Sequence, residues 1–175
     1  MLVVAEAELL WVPSLGPLFA GAARAEGLSP EAADVTVMIA EAVLGVANGT
    51  SRLFLALSDD SVSPSPLVNG QGVAGIVQVD YRGPSLYECR RLYVPPFFRG
   101  RRVAWQLLQK AARDLEAAEA TIVFSSPAPV KRTYERLGAR VRTTVYEVEI
   151  GRVRAALRKE QPPWEPRRSL SVSGS

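Results

Sequence analysis

Three arginines surround a glycine just ahead of an amphipathic stretch: Arg99, Arg101 and Arg102 flank Gly100, and apolar periodicity begins at Val103. A segment that turns into a helix presents unpartnered backbone N–H groups and the positive end of the helix dipole. Cationic side chains are slightly unfavourable there, so three of them indicate an anionic ligand, and a pyrophosphate suits such a site. The alternative is that all three are solvent-exposed side chains of a first helical turn.

A second candidate group is Glu88 with Arg90 and Arg91, on a stretch predicted to be a central strand. Unpaired charges are costly in such a strand, so a polar cleft beside it would explain them. A carboxylate whose pKa is raised by partial burial is a suitable general base. The competing explanation is a Glu88–Arg90 ion pair, because residues i and i+2 of a strand point to the same side.

Other catalytic classes are disfavoured by composition. The chain has no histidine, which is the commonest zinc ligand and catalytic base, and its single cysteine, Cys89, cannot form an internal disulfide. A metal site and a serine–histidine triad are therefore not expected, and Cys89 is interpreted as a packing residue. The N-terminus lacks a secretory pattern and no apolar run is long enough to span a bilayer, so we expect an intracellular protein.

The elements that would position these residues follow from apolar periodicity and turn residues. Strands are predicted at 2–9, 52–58, 73–81, 86–94, 121–125 and 141–150, and helices at 15–26, from 29–31 to 44, at 99–118 and at 129–137. Residues 59–72 are predicted to form a long hairpin loop. The order β-α-α-β-β-β-α-β-α-β predicts an α/β fold with a mixed sheet covered by helices on both faces, antiparallel in the middle and parallel near the end.

Domain organisation follows from length and charge. At 175 residues, 47% of them hydrophobic, the chain suits one globular domain, which we place at residues 1–150. Residues 151–175 form a tail with six basic and two acidic side chains, whereas the whole chain has a net charge of only +3. This tail is either a solvated segment or a docking segment around Trp164, and nucleic-acid binding is ranked last because its charge density is too low.

In two segments, the chain resembles the GCN5-related N-acetyltransferase (GNAT) superfamily. The segment from Phe97 to Ala104 resembles the family's cofactor signature Arg/Gln-x-x-Gly-x-Gly/Ala, with Arg102 in place of the central glycine. That arginine either obstructs the phosphates or adds a contact to them. The segment 128–138, which carries Tyr134 and ends in Leu-Gly, resembles the second signature, although Pro127 and Ala139 depart from it.

The resemblance implies acetyl-CoA as acyl donor and no metal. By that resemblance Tyr134 protonates the departing thiolate, Glu88 is the general base, and the acetyl-pantetheine arm lies between the strands 86–94 and 121–125. The residues implied to bind the cofactor are Leu92, Tyr93, Val94, Arg99, Gly100, Arg101, Arg102, Val103, Ala104 and Ser126, with Ser125 beside the last.

Two functions remain open from the sequence. One is an N-acetyltransferase acting on an amine that no motif identifies. The other is a relative of the same fold with weak or absent catalysis, retained for assembly, for example in a virus particle or another large complex, with the tail 151–175 as its docking segment.

Overall fold

The computed structural model describes residues 2–59, 66–115, 121–125, 140–142 and 145–149. Its centre is one mixed sheet in which the strands follow the order β1-β2-β4-β5-β6-β8-β7, with β3 paired to β4. The strands are β1 (Leu2–Glu6), β2 (Ser51–Ser58), β3 (Leu67–Val68), β4 (Gln71–Gly83), β5 (Leu86–Tyr93), β6 (Thr121–Ser125), β7 (Arg140–Arg142) and β8 (Val145–Glu149). The predicted α/β class and mixed sheet are confirmed.

Two helices, α1 (Gly16–Ala25) and α2 (Ala32–Ala47), follow β1 and a short 3-10 helix at Leu9–Leu15. Pro17 begins α1 because its fixed φ suits a first turn, and Gly27, at φ 85°, follows its end. Helix α2 starts at Ala32, directly after the start at residues 29–31 that the sequence predicts. Glu31 is the N-cap, and its backbone N–H donates to Asp34 at 2.8 Å in a reciprocal capping box.

Two apolar clusters fill the two faces of the sheet. Helix α3 (Val103–Asp114) covers one face with Leu107 and Ala111, which meet Phe54 and Val77. Helices α1 and α2 cover the other face, where Phe19 packs with the inward side chains of β2 and β4. A sheet with helices on both faces explains why the middle strands read as continuous apolar runs.

Three sequence predictions need correction. The predicted loop 59–72 contains β3, which turns back onto β4 through Asn69 and Gly70, both at positive φ. The predicted last strand is two strands, because β7 pairs antiparallel with β8. Consequently β8 runs antiparallel to β6, and the parallel step expected at the end is confirmed only between β5 and β6.

The predicted helix 99–118 begins later, at Val103, because Gly100 and Arg102 both have positive φ, which a right-handed helix does not allow. The predicted helix 129–137 and the tail 151–175 lie outside the described residues. Within the described ranges, no helix combines the length and the apolar character needed to cross a membrane.

Candidate functional site

The connection between β5 and α3 is built as a tight turn. Residues Pro96–Phe98 form the 3-10 helix, and the buried Phe98 anchors it to the core beneath α3. Arg99 Nε donates to the carbonyl of Val94 at 3.2 Å, which ties the two sides of the connection together. Gly100 then reverses the chain at φ 78°.

The first turn of α3 has the features of an anion-binding site. Arg102 is its N-cap, makes no side-chain capping hydrogen bond, and is followed by a first turn without an acidic residue. The amide groups of this turn therefore have no carboxylate or hydroxyl partner at the cap, while the dipole makes them positive. This geometry agrees with the anion site that the arginines indicate.

Arg102 occupies a left-handed backbone conformation, with φ 59° and ψ 19°. Glycine adopts this region without penalty, whereas a side chain costs about 1–2 kcal/mol there. The backbone shape that a glycine would supply is thus retained with arginine in its place. Its side chain is exposed, as is that of Arg99.

Arg101 is held differently from the other two arginines. Its guanidinium lies 5.0 Å from the centroid of Phe97 and 5.6 Å from that of Phe98, and the two rings meet edge to face. Cation–π contacts of this kind are worth about 0.5–1 kcal/mol at exposed sites. The rings therefore orient Arg101 beside the turn.

In the described residues, the parallel pairing of β5 and β6 covers only the first half of β5. It runs from Leu86 opposite Thr121 to Cys89 opposite Phe124. The last part of β5, with Leu92 and Tyr93, has no partner among the described residues of β6, which end at Ser125, and it leads directly into the turn before α3. This half of β5 is where the pantetheine arm is expected.

A β-bulge in β5 lies directly after its last described pair with β6. Gln78 of β4 is opposite Arg91, but the next residue, Val79, is opposite Cys89, so Arg90 is the extra residue of β5. Bulges interrupt the alternation of side chains and increase the local twist. Beyond it, Leu92 packs toward α3, while Tyr93 packs toward α1.

Glu88 has a cationic partner other than the one considered from the sequence. Arg82 donates to the Glu88 carboxylate through Nε at 2.6 Å and Nη2 at 2.5 Å. Arg90 instead forms an ion pair with Glu41 of α2 and lies 3.5 Å from Asp80. Glu88 is therefore a candidate base only if Arg82 releases it.

Sequence reasoning missed a buried polar network on the α1/α2 face of the sheet. Ser51 Oγ donates to Asp80 Oδ1 at 2.6 Å, Gln78 Nε2 donates to the same oxygen at 3.0 Å, and Gln78 Oε1 accepts from Arg91 Nη1 at 2.6 Å. Gln78 and Asp80 are 1% and 5% exposed. The available signal was two polar residues at i and i+2 of an otherwise apolar strand.

Of the remaining predicted site residues, some lie in the part of the chain that the structure describes and others lie outside it. Val103 is buried and Ala104 half-buried in the first turn of α3, beside the turn that carries Arg99 to Arg102. Ser125 ends β6, where its backbone pairs with Val145. Tyr134 and Ser126 lie outside the described residues.

Comparison with protein families identifies this arrangement. A profile of the Acetyltransferase (GNAT) family matches residues 43–139, from the end of α2 to the residue before β7. This chain belongs to the GNAT family. No curated protein sequence matches the chain.

Solved GNAT structures share the fold at low identity. A GNAT acetyltransferase of Staphylococcus aureus Mu50 aligns with a TM-score of 0.67 at 11% identity, covering 86% of this chain and 99% of that one. An acetyltransferase of Clostridium acetobutylicum solved with acetyl-CoA aligns at 0.63, with 14% identity over 82% of this chain and 92% of that one. A GNAT acetyltransferase of Brucella melitensis in complex with acetyl-CoA aligns at 0.59, with 14% identity over 85% and 88%.

The residues of this GNAT chain fit acetyl-CoA on three counts. The uncapped α3 terminus offers amide groups to a pyrophosphate, and the arginines add positive charge around it. The half of β5 that has no partner in the described part of β6 can offer the backbone groups of that edge to an extended arm. Arg102 keeps the left-handed backbone of a glycine, so the turn is not reshaped by the substitution.

Proposed function

We propose that this GNAT protein transfers the acetyl group of acetyl-CoA to an amine by direct attack, in a complex that holds both substrates. The observation that supports it most is that the described β5–β6 pairing ends at Cys89, in the strand that leads through a tight turn to the uncapped N-terminus of α3. Leu92, Tyr93 and Val94 would contact the pantetheine arm, and the turn from Arg99 to Ala104 would hold the phosphates. Proteins of the same fold were solved with acetyl-CoA.

The chemistry needs few protein groups. Acetyl-CoA supplies an activated acyl group as a thioester. The incoming amine gives up a proton to Glu88, directly or through a water, after Arg82 has released the carboxylate. Its nitrogen bonds to the acyl carbon as the carbon–sulfur bond breaks, and Tyr134 donates its proton to the sulfur. The products are one amide and one thiol.

Calorimetric titration with acetyl-CoA tests the cofactor site. We expect micromolar binding by the natural protein. Arg102→Gly removes the guanidinium and suits the left-handed backbone, whereas Arg102→Ala removes the guanidinium alone. Weaker binding by both variants assigns a phosphate contact to Arg102, and tighter binding by both assigns an obstruction. No binding by any of the three contradicts the proposal.

Acid–base roles are tested by steady-state kinetics once an acceptor is found. Tyr134→Phe and Glu88→Gln are each expected to lower kcat by about 100-fold or more, since a positioned acid or base contributes about 10²–10⁴. Acetyl-CoA affinity should change little in either variant. Wild-type kcat in Glu88→Gln would assign that carboxylate to its ion pair with Arg82 alone.

The second candidate is a protein of the same fold that serves in assembly and has lost catalysis. The observation that favours it is the exposed guanidinium of Arg102 at the position of the family's central glycine. Restoration of acetyl-CoA binding by Arg102→Gly in a protein that otherwise binds none would support it. The search would then move to partners of the segment 151–175.

A further inference from the structure

The bulge in β5 places two consecutive arginines on the same side of the sheet. Arg90 reaches Glu41 of α2, and Arg91 lies with its guanidinium carbon 5.2 Å from the ring centroid of Phe19 in α1. Consecutive residues of a regular strand would point to opposite faces. The extra residue therefore presents both side chains to the helices α1 and α2, directly after the last described pair of β5 with β6.

Only one of these two arginines is neutralised by carboxylates. Arg90 forms an ion pair with Glu41 and lies 3.5 Å from Asp80. Arg91 donates one hydrogen bond, through Nη1 to Gln78, and packs on Phe19. Within the described residues no carboxylate lies within 4.0 Å of Arg91, so its remaining N–H groups lack an anionic partner.

The guanidinium of Arg91 is held in place by buried groups. Gln78 is itself fixed by Asp80, which also accepts from Ser51, so a chain of hydrogen bonds orients the acceptor of Arg91. Burial and the charge of Arg90 lower the pKa of Arg91 from its ordinary value, whereas Glu41, Asp80 and Glu26 oppose that shift. Arginine stays protonated nonetheless, so Arg91 keeps a fixed positive charge although its guanidinium is partly desolvated.

Glu26 is the second charged group at this place that has no ion pair in the described residues. It ends α1 seven residues after Phe19, which places both on one face of the helix about 10 Å apart along its axis. Glu26 is exposed as a residue, yet burial of its carboxyl raises its pKa, and Arg91 opposes the shift. A positive group packed on Phe19 and a negative group at the C-terminal end of α1 thus lie along the same face of that helix.

We propose that Arg91 binds a carboxylate of the acceptor, so that the acceptor of the proposed acetyl transfer is an amine that also carries a carboxylate, with Glu26 facing its ammonium end. A planar guanidinium binds carboxylates through paired hydrogen bonds, and a preorganised one loses little freedom in doing so. The two sources of this chemistry are a free amino acid and the acidic first residue of a protein chain. The inference rests on the proposed function.

The test compares matched acceptors for thiol release from acetyl-CoA. One arm pairs free amino acids with their carboxamides, and the other pairs short peptides whose first residue is Asp or Glu with the same peptides beginning with Asn or Gln. We expect the carboxylate member to be preferred in kcat/KM by about 10- to 100-fold, the range for one hydrogen bond to a charged group. The arm that shows the preference identifies the source.

Variants assign the preference to Arg91. Arg91→Gln should abolish it and Arg91→Lys should retain part of it, because lysine keeps the charge without the planar fork. Arg90→Gln is the matched control: it removes the neighbouring arginine on the same face, whose charge is already paired, and should keep the preference. Glu26→Gln should raise KM for the acceptor. Circular dichroism and acetyl-CoA titration monitor folding and the cofactor site of each variant.

The outcomes separate the two proposals. Equal use of acids and amides, or acetyl-CoA binding without turnover of any carboxylate acceptor, overturns the inference and leaves the cofactor site standing. A preference that survives Arg91→Gln also overturns it. Absence of acetyl-CoA binding overturns the proposed function and the inference together.

Discussion

The two faces of the sheet around β4 and β5 differ in kind. Toward α3, Val77, Val79 and Cys89 form an uninterrupted apolar surface with Leu107. Toward α1 and α2, the same strands begin apolar, at Val73 and Ile76, and become polar at Gln78 and Asp80. Apolar packing alone would suffice for folding. The second face is therefore held by a buried polar network as well as by apolar contacts, and Arg91, the residue of the proposed acceptor site, is part of that network.

The largest effect is expected on the α3 face. Leu107 is fully buried at the centre of that cluster, so Leu107→Ala should lower the free energy of unfolding by about 2–5 kcal/mol. Gln106→Ala, on the same helix but partly exposed, is the control and should change it little. Urea denaturation measures both. A small effect at Leu107 would contradict the view of this face as the continuous core.

On the polar face, Asp80→Asn should lower the free energy of unfolding by about 1–3 kcal/mol, because it keeps the oxygen that accepts from Ser51 and Gln78 but replaces the charged oxygen near Arg90 with an NH2 group. Asp80 is 5% exposed and receives Ser51 and Gln78, with Arg90 3.5 Å away. A double-mutant cycle with Arg90→Gln gives the coupling between the two charges. Strict additivity would show that the polar cluster is held by Ser51 and Gln78 rather than by its ion pairs.

A smaller effect is expected in the turn that joins the faces. Arg102→Gly should raise the free energy of unfolding by up to about 1 kcal/mol, because glycine relieves the left-handed strain while adding freedom to the unfolded chain. Arg102→Ala keeps the strain and should not stabilise. Equal denaturation midpoints for the Gly and Ala variants would contradict this.

At neutral pH, the smallest effect on stability is expected from the ionisation of the Cys89 thiol. Burial, with a contribution from the charge of Glu88, raises the pKa of this thiol above its ordinary value, so the folded protein holds it protonated. A thiol reagent at pH 8 should leave the native protein unlabelled and label it after unfolding. Because the folded pKa is the higher one, this contribution to stability is complete below pH 8 and declines as the pH rises beyond the unfolded value. Rapid native labelling would mean that the α3 face opens.

Sequence patterns predicted the central elements well because burial dictates them. The apolar runs of β2 and β4 and the apolar stripe of α3 each have one stable placement in a sheet covered on both sides. The last strands were mispredicted, because Val141 and Val145 share the alternation of one long strand and only pairing shows that β7 folds back on β8.

The candidate site was predictable only in part. Arg99, Gly100 and Arg102 stand out because arginines at a helix N-terminus are unusual, and the structure places them in the turn before α3. The partners of Glu88 were not predictable. Arg82 reaches it across a hairpin, and Arg90 is turned toward Glu41 by a bulge that leaves no mark in the sequence.

By itself the sequence determined the fold class, the family signatures and the turn at Arg99–Arg102 that is predicted to bind an anion. These features depend on local patterns and on residue types at fixed spacing. Only the tertiary structure decided which charges neutralise each other and which do not. Arg90 and Arg91 are adjacent in the chain and identical in type. The register of β4 against β5 places Arg90 near the carboxylates of Glu41 and Asp80. It places Arg91 beside the amide of Gln78 and the ring of Phe19.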